Sequence, residues 1–580
     1  MPTADRRLFL ATGPALGSLP LASSLSRAQD SSSHSTKSAR TGRSKKGVVA
    51  TVHPIASRAA IEAFRRGGNA IDAAASASIM LTVVDGFNSG IGGGCLAMVR
   101  TADGKTLALD GREKAPSLAK PEMFFRDGKP DPKLSQVGPL AAGVPGLLAA
   151  LDRLTSKHGR LTLADAFAGA AEVALQGFVL DENYVRRLRS VAKALKRFPG
   201  SAEVLLDSAG NPWQAGHQLV QKDLASTLSR LSKEGVDWFY QGEFAKTASQ
   251  HLTEQGGVMQ ASDFAEYNTV LREPISSHYR GNQVFGFPPP SSGGIHIAQM
   301  LGMLSGFNVK ETFAKSEATG RHLLLEVMKR AMADRAYWLG DSDFAKVPRG
   351  LLDPSYLRER AANIKLDKTS NIASHGQPPR ADIDLFGKGG HTTHLTTADA
   401  DGNVVAITQT VNTTFGNKMI VPGTGVVLNN ELDDFSIAPG VRNAFGLLGS
   451  EANLIAPGKR PLSSMSPTIV LDQSGAPILS CGAAGGPKII TTVLQVLVRV
   501  LDLGQSIDEA ISAARAHHQW SPDTAVCENA IKDEVVEQLA LFGHNVSRIR
   551  SAAVSQGLAI QDGVIEAASD PRVPSSVQIL

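Results

Sequence analysis

Apolar positions follow two kinds of spacing, and both kinds occur in the first and the second half of the chain. Helical spacing predicts helices over residues 57–66, 70–84, 147–157, 163–176, 185–198, 316–338, 489–503 and 506–514. Short apolar or alternating runs predict strands over residues 47–52, 96–100, 107–110, 283–286, 392–398, 404–411, 425–428, 468–471 and 478–481. Strands and helices in both halves favour stacked sheets between layers of helices.

A polar loop and a tight turn border the first strand of the second half. Residues 366–391 are polar and contain several prolines and glycines, so we expect an exposed, mobile loop. Asp401-Gly402-Asn403 predicts a hairpin turn after that strand. A hairpin centred there places Thr410 opposite Thr392, with one hydroxyl beside the other.

The composition is that of an ordinary globular protein. Hydrophobic residues make up 42% of the 580 residues, and the formal net charge of +4 gives no reason to expect nucleic acid or an acidic membrane surface as a partner. Cys95, Cys481 and Cys527 are far apart and form no CxxC pair, which argues against zinc or thioredoxin-like sites. No window after the N-terminus approaches ~18 successive apolar residues, so we expect no membrane span.

The N-terminus has the pattern of an export signal. Asp5-Arg6-Arg7-Leu8-Phe9-Leu10 is similar to a twin-arginine motif, and an apolar stretch with small residues follows it. We expect residues 1–28 to be this signal and residues 29–46 to be a flexible basic linker. The protein would then be periplasmic or secreted.

A threonine stands where the polar loop meets the next strand. Its hydroxyl is a weak nucleophile until a base removes its proton. If the His391–Thr392 bond broke, the new α-amino group of Thr392, with a pKa of about 8, would supply that base. Gly389 and Gly390 give the backbone the latitude for such a cut. A threonine-rich strand is common, however, so Thr392 alone does not decide between a nucleophile and a structural residue.

A glycine turn offers backbone donors for acyl transfer. Gly485 and Gly486 lie between a predicted strand and a predicted helix. Their N–H groups can stabilise an oxyanion at that helix N-terminus. A simple strand-to-helix turn explains the same residues equally well.

Ordered motifs run through nearly the whole chain after its N-terminal segment. They lie at residues 67–74, 90–94, 112–113, 288–294, 392–394, 412–416, 429–436, 460–468, 517–520 and 569–572. Together they resemble those of the γ-glutamyltransferases, which are N-terminal-nucleophile hydrolases. The resemblance implies an α+β fold, the four-layer αββα sandwich. It also implies a large subunit, residues 47–391, and a small subunit, residues 392–580, that are cut from one precursor and stay together as a heterodimer.

The resemblance assigns a role to each candidate residue. Thr392 would be processing site and nucleophile, Thr410 its hydrogen-bond partner, and Gly485 and Gly486 the oxyanion hole. The α-carboxylate of the substrate would be held by Arg112, Ser463 and Ser464. Its α-amino group would be held by Asn412, Glu431 and Asp434. Each of these residues singly fits a solvated surface, but as a set they match a zwitterionic head group.

The implied reaction has two steps. Thr392 attacks the γ-amide of glutathione or another γ-glutamyl compound and releases the amine. The γ-glutamyl group then passes to water or to an amino acid or dipeptide acceptor. No metal and no organic cofactor is expected.

One departure from the family pattern concerns a lid. Residues 439–446 resemble a loop that covers the site in some members, and Phe445 stands where a tyrosine is often found. Loss of that hydroxyl removes a latch, so we expect an enzyme that favours hydrolysis over transfer.

Two alternatives remain open, and two others are disfavoured. A cephalosporin or glutaryl acylase shares the fold but need not bind an α-ammonium group. An uncleaved, non-catalytic binding protein of this fold is also compatible. The glycine run at residues 90–94 follows a helix and leads into a strand, which disfavours a dinucleotide-binding oxidoreductase. No complete G-x-S-x-G motif supports a serine hydrolase.

Overall fold

Two antiparallel sheets lie face to face, and helices cover the outer side of each. The structure is a computed structural model that describes residues 39–379 and 393–580. Within these residues each of the two sheets has seven strands. Helices α1 and α2 pack on one sheet, and α12, α16 and α17 pack on the other. The layers therefore confirm the expected α+β class and the αββα sandwich.

The strands are numbered in the order in which the chain forms them. They are β1 (Thr41–Ser44), β2 (Gly47–Thr51), β3 (Gly94–Arg100), β4 (Thr106–Gly111), β5 (Phe125–Arg126), β6 (Lys129–Pro130), β7 (Phe178–Val179), β8 (Gln218–Leu219), β9 (Val270–Arg272), β10 (Ile275–Tyr279), β11 (Asn282–Gly286), β12 (Thr393–Asp399), β13 (Val404–Thr410), β14 (Ile420–Val421), β15 (Val426–Val427), β16 (Thr468–Leu471), β17 (Pro477–Ala484), β18 (Ala516–His517), β19 (Ala525–Glu528), β20 (Val546–Ile549), β21 (Val554–Gln561), β22 (Val564–Ser569) and β23 (Ser576–Ile579).

The helices are numbered in the same way. They are α1 (Pro54–Arg65), α2 (Ala70–Val84), α3 (Lys133–Gln136), α4 (Leu147–His158), α5 (Leu163–Gln176), α6 (Glu182–Leu195), α7 (Pro199–Leu205), α8 (Lys222–Glu234), α9 (Asp237–Tyr240), α10 (Glu243–Glu254), α11 (Ala261–Ala265), α12 (Gly293–Leu304), α13 (Val309–Lys315), α14 (Glu317–Trp338), α15 (Pro354–Ala362), α16 (Lys488–Leu501), α17 (Ile507–Ser512) and α18 (Asp533–Leu541). Short 3-10 helices cover Pro121–Phe124, Pro139–Ala141, Arg349–Leu352, Glu431–Asp434 and Glu451–Asn453.

Each sheet contains strands from both the early and the late part of the chain. One sheet has the order β1-β22-β21-β17-β16-β11-β10, and the other has the order β23-β2-β12-β13-β3-β4-β9. In the second sheet β12 lies between β2 and β13, and β13 lies between β12 and β3. The hairpin predicted around residues 401–403 is therefore confirmed, and it occupies the middle of a sheet.

The central strands are buried on both faces. On β3, Leu96 and Met98 face the core between the two sheets, whereas Ala97 and Val99 face the helices. Successive side chains of a strand point to opposite faces, so a strand covered on both sides needs apolar residues at every position. This burial explains the continuous apolar run that the sequence shows at this strand.

Most predicted elements have the expected positions, with shifts at their ends. Helix α2 has the predicted bounds, because Asn69 and Asp72 form a capping box at its start. Helix α6 begins three residues before the predicted start, at Glu182, because the Asp181 side chain caps it by accepting a hydrogen bond from the Tyr184 N–H.

The N-terminal region differs from expectation in one place. Residues Thr41–Ser44 lie in the stretch expected to be a flexible linker, but they form strand β1 and pair with β22. The strand is polar, and its order comes from backbone pairing and an exposed Arg43–Glu566 ion pair of 2.7 Å, which leave no apolar pattern in the sequence. The predicted export signal, residues 1–28, lies outside the described residues. Among the described residues, no helix is both long and apolar enough to cross a membrane.

Substitution of Gly93 tests how closely β13 approaches the glycine run at residues 90–94. A Cβ atom on Gly93 would lie 1.8 Å from the backbone oxygen of Thr410. We expect Gly93→Ala to lower the melting temperature, because this overlap with backbone costs about 1–3 kcal/mol. Gly169→Ala is the control: it lies within α5 with open space around it and should be neutral or stabilising. Equal melting temperatures for both variants would contradict the close approach.

Candidate active site

The ends of β12 and β13 bring the first group of candidate residues together. Thr393 pairs with Gln409, and the next residue, Thr410, pairs with Gly94 of β3. The buried Thr410 Oγ1 accepts a hydrogen bond of 2.6 Å from the Asn412 N–H. Asn412 has a φ of 72°, so the chain turns sharply directly after the strand. Thr392 itself lies outside the described residues.

A buried carboxyl group that sequence inspection missed lies at this strand end. Asp85 follows α2, and its Oδ2 accepts a hydrogen bond of 2.6 Å from the Thr393 hydroxyl. Its Oδ1 accepts from the Asn88 side chain at 3.0 Å. Burial raises the pKa of Asp85 to about 7, although both hydrogen bonds oppose the rise. The residue after the candidate nucleophile is thus fixed by an acid from the first half of the chain.

Three carboxyl groups surround the guanidinium of Arg112, which follows β4. Its Nη1 donates to Glu431 and, at 3.1 Å, to Glu113, and its Nη2 donates to Asp434 at 2.8 Å. All four side chains are buried. The side chain of Asn429 fixes the position of Glu431 by accepting from its N–H at 3.0 Å. The structure therefore brings Arg112, Glu431 and Asp434 into direct contact and adds Glu113, which was not among the predicted site residues.

This cluster has more acidic groups than basic ones. Burial raises the pKa of Glu113 to about 7 and raises the pKa values of Glu431 and Asp434 above their usual range, while Arg112 opposes each shift. Glu113 Oε1, Glu431 Oε2 and Asn412 Oδ1 are buried acceptors that receive no hydrogen bond from an N–H or O–H group of the described residues, although the carboxyl groups of Glu113 and Glu431 lie close enough to hydrogen-bond each other when one of them is protonated. Unsatisfied buried acceptors are costly, so this arrangement suits a cationic ligand with several N–H groups.

Ser463 and Ser464 lie beside the cluster on the segment before β16. Both are buried, and the Ser463 Oγ accepts from the Met465 N–H at 2.8 Å. The Ser464 Oγ accepts from Nη2 of Arg335 at 3.4 Å. Arg335, which the sequence patterns did not single out, also lines a cavity together with Asp434 and Leu462.

The glycine turn approaches the same place from the facing sheet. On β17, Ser480 hydrogen-bonds Thr396 of β12 at 3.0 Å, and Gly482 lies against the ring of His394. Later residues of β17 therefore lie against earlier residues of β12, so the end of β17 points towards the start of β12. Gly485 and Gly486 follow directly, with φ values of 146° and 67°, and α16 begins two residues later. The predicted strand-to-helix turn is confirmed.

Hydrogen bonds from Arg442 and Gln519 hold the expected lid segment, residues 439–446. Arg442 donates to the backbone oxygen and the hydroxyl of Ser521 at 3.1 and 2.8 Å. The Gln519 side chain donates to the Phe445 oxygen at 3.4 Å. Two bonds from one guanidinium thus connect the segment to the rest of the molecule. Whether the enzyme favours hydrolysis stays a prediction.

One group of residues away from this site has metal-ligand character. His322, Glu326 and His544 lie close together and are buried. However, one Glu326 oxygen accepts from Arg330 at 2.7 Å and the other from the Thr369 hydroxyl at 2.8 Å. The imidazole of His322 bonds both His544 and the Lys365 oxygen, each at 2.7 Å. These contacts make the group an attachment point for residues 365–370.

The Asp85 carboxyl group gives a pH-dependent prediction. Its protonated form favours the folded state below the unfolded pKa of about 4, and this contribution is lost as the pH rises through about 7. Asp85→Asn cannot ionise, so its melting temperature relative to wild type should increase between pH 5 and pH 8. The limit is about 1.4 kcal/mol per pH unit.

For the control variant, Asp472→Asn, stability relative to wild type should change with pH in the opposite direction. Hydrogen bonds from Ser474 lower the pKa of the exposed Asp472, so Asp472→Asn should lose stability relative to wild type as the pH rises. A pH-independent difference for Asp85→Asn would show that its carboxyl group ionises as freely in the folded protein as in the unfolded chain.

Comparisons with known proteins agree with this geometry. The family model Gamma-glutamyltranspeptidase matches residues 56–580. The glutathione hydrolase proenzyme of Escherichia coli (strain K12) is 38% identical over 533 residues, which cover 91% of each chain. The Acylase ACY 1 proenzyme of Pseudomonas sp. (strain SE83) is 36% identical over 525 residues, 88% of this chain and 89% of that one.

Solved structures show the same fold. The cephalosporin acylase from Bacillus halodurans has a TM-score of 0.82 and 25% identity, and the match covers 95% of this chain and 99% of that one. The matched residues, 56–580, include the described site residues from Asp85 to the glycine turn at Gly485 and Gly486. The chain therefore belongs to the γ-glutamyltranspeptidase family.

Proposed function

We propose that this protein is a γ-glutamyltransferase and glutathione hydrolase that cuts its own chain before Thr392. The observation that carries the proposal is the buried acidic cluster around Arg112, with its three acceptors that receive no N–H or O–H hydrogen bond from the described residues. An α-ammonium group has three N–H donors and one positive charge, so it suits a buried site that is rich in acceptors and acidic groups. The E. coli relative is named a glutathione hydrolase, which supports the same substrate class.

In the first step the chain processes itself. The Thr392 hydroxyl attacks the carbonyl carbon of residue 391, the C–N bond breaks, and the acyl group moves to the threonine oxygen. Water hydrolyses this ester and leaves a free α-amino group on Thr392. That amine is the base for all later turnovers.

In the second step the processed enzyme transfers a γ-glutamyl group. The amine of Thr392 takes the hydroxyl proton while the oxygen attacks the γ-amide carbonyl, and the proton passes to the leaving amine. A γ-glutamyl ester remains, and water or the amino group of an acceptor removes it. Thr410 is the hydrogen-bond partner of the nucleophile: Thr392 precedes Thr393 in sequence, and Thr410 follows the partner of Thr393 in β13.

The oxyanion is assigned to the N–H groups of Gly485 and Gly486. Support comes from the direction of β17, which carries the glycine turn towards the start of β12. Donors that are fixed in advance stabilise charge as it develops and commonly contribute about 10²–10³ in rate.

The head group of the substrate is assigned to two sets of residues. Asn412, Glu431 and Asp434 hold the α-amino group, and Glu113 adds to their negative charge. Arg112, Ser463 and Ser464 hold the α-carboxylate. No step of this mechanism requires a metal or an organic cofactor.

The two products of the cut are proposed to stay together as a heterodimer of residues 47–391 and 392–580. Support comes from the sheet order, because strands β2 and β3 from the first piece flank the β12–β13 hairpin of the second. The sequence of the N-terminal segment supports export to the periplasm or the medium by a twin-arginine-like signal. Glutathione and other γ-glutamyl compounds are the proposed donors, and amino acids or dipeptides the proposed acceptors.

An acylase that accepts glutaryl or cephalosporin side chains is the second candidate. Three of the matching proteins bear acylase names, so the fold alone does not separate the activities. A glutaryl group has no α-ammonium, and it would leave the buried acceptors of Glu113, Glu431 and Asn412 without an N–H partner. The acidic cluster therefore favours γ-glutamyl donors.

Processing is tested by substitution of the proposed nucleophile. Wild-type protein should give two fragments, one beginning at Thr392, and Thr392→Ala should remain one chain with γ-glutamyl hydrolysis below ~0.1% of wild type. Intact mass and denaturing gels measure the cut. Thr393→Ala is the matched control and should still be cut before residue 392. A Thr392→Ala chain that is cut at the same bond would overturn the assignment.

The acidic cluster is tested by comparing γ-glutamyl and glutaryl anilides across pH. Protonation of Glu113 below about pH 7 removes negative charge that holds the α-ammonium group, so KM for the γ-glutamyl donor should rise as the pH falls. Both donors depend on the same Thr392 amine, so the ratio of their kcat/KM values isolates the cluster.

We expect the kcat/KM value of the γ-glutamyl anilide, divided by that of the glutaryl anilide, to fall from pH 8 to pH 6 in wild type. The same quotient should vary less in Glu113→Gln. A ratio that favours the glutaryl anilide at every pH would support the acylase instead.

A further inference from the structure

A buried cation outside the predicted set lies at the edge of the candidate site. Arg335 stands in the last turn of α14, and 3% of its surface is exposed. Its Nε donates to the Ser292 hydroxyl at 3.0 Å, and its Nη2 donates to the Ser464 hydroxyl at 3.4 Å. Throughout residues 39–379 and 393–580, no carboxylate forms an ion pair with it. Buried charges usually have such a partner, so a buried guanidinium that bonds only hydroxyl groups suggests an anionic ligand.

The contacts of Arg335 fix the segment that carries both serines. The Ser292 hydroxyl, which accepts from Arg335, donates to the Ser463 oxygen at 2.6 Å. The Ser464 hydroxyl oxygen also accepts from Arg335. A hydroxyl whose oxygen already accepts from an N–H directs its own hydrogen elsewhere. Arg335 therefore orients Ser464 as a donor.

Arg335 adds positive charge to a carboxylate subsite in which Arg112 has few donors left. Arg112 has five N–H groups, and four of them bond the Pro461 oxygen, Glu113, Glu431 and Asp434. A carboxylate that approaches Arg112 thus meets three acidic groups and one remaining donor. Burial lowers the pKa of Arg335 to about 10, and Asp434 opposes the shift, so its guanidinium stays charged at neutral pH.

We propose that Arg335 is a positioning and specificity residue for the α-carboxylate of the donor substrate. It holds Ser463 and Ser464 in place, and its charge balances the repulsion from the acidic cluster around Arg112. The inference rests on the proposed function and extends the carboxylate subsite to α14.

The test compares ligands that differ only in the α-carboxylate. The donors are γ-glutamyl and 4-aminobutyryl p-nitroanilide, which share the amine and the acyl chain. The product-like inhibitors are L-glutamate and 4-aminobutyrate. The variants are Arg335→Met, Arg335→Lys and, as the matched control, Arg321→Met, which removes a buried guanidinium of the same helix that bonds Glu317 and the Ala514 oxygen.

For Arg335→Met we expect KM for the γ-glutamyl anilide and Ki for L-glutamate to rise between about 10-fold and 100-fold, the range for loss of a charge-assisted hydrogen bond. The kcat value and the Ki of 4-aminobutyrate should stay near wild type. Arg335→Lys should give KM and Ki values between those of wild type and Arg335→Met. Arg321→Met should keep the wild-type ratio of the two Ki values. All variants should still give two fragments.

Two results would overturn the inference. If Arg335→Met leaves the ratio of the two Ki values unchanged, either because neither inhibitor is weakened or because both are weakened equally, Arg335 is a purely structural residue. If Arg335→Met gives no folded protein, the Ki ratio of Arg335→Lys decides in the same way. If wild-type protein cleaves neither anilide, the proposed function fails and the inference fails with it, whereas active wild type with an unchanged ratio refutes Arg335 alone.

Discussion

The pairing of β12 and β13 in the middle of a sheet is the constraint on which the site depends. Both strands are buried on both faces, so neither can shift without exposing apolar surface to water. The pairing of β13 with β3 fixes Thr410 against Gly94, and the hairpin holds the start of β12 beside Asp85 and the facing β17. Residues that are hundreds of positions apart in sequence therefore meet at one strand end.

The second determinant is electrostatic. A single guanidinium among three buried carboxyl groups is an arrangement that favours protonation of the acids or the approach of a cation. Arg335, which lines a cavity together with Asp434 of the cluster, adds the opposite preference. The site thus has a region that favours anions a short distance from a region that favours cations. This arrangement complements the two charges of an amino acid head group.

The sequence predicts the fold well because its patterns are local. The α2 helix, the β3–β4 hairpin and the β12–β13 hairpin depend on caps, apolar spacing and turn residues that neighbouring positions reveal. The polar strand β1 has no such pattern, because backbone pairing with a distant strand makes it. Its order could not be read from residues 41–44.

The site was predictable only where motifs mark it. Arg112, Glu431 and Asp434 lie in recognisable motifs, and the structure joins them. Asp85 and Arg335 lack such marks. Arg335 belongs to a helix in which charged residues are buried through pairing, as Glu326 and Arg330 show, whereas apolar spacing would place charged residues at the surface. Their roles depend on contacts between segments, which spacing within one segment does not reveal.

Strand β2 has a consequence for how the protein has to be made. It lies between β12 and β23, so a strand near the start of the chain is flanked on both sides by strands from its last third. If residues 47–391 were synthesised alone, both edges of β2 would present unpaired N–H and C=O groups, a template for aggregation. Continuous synthesis as one polypeptide supplies both neighbours at high local concentration. The unbroken chain therefore acts as an intramolecular folding aid for β2, and the proposed cut before Thr392 would be tolerated only after the sheet has closed around this strand.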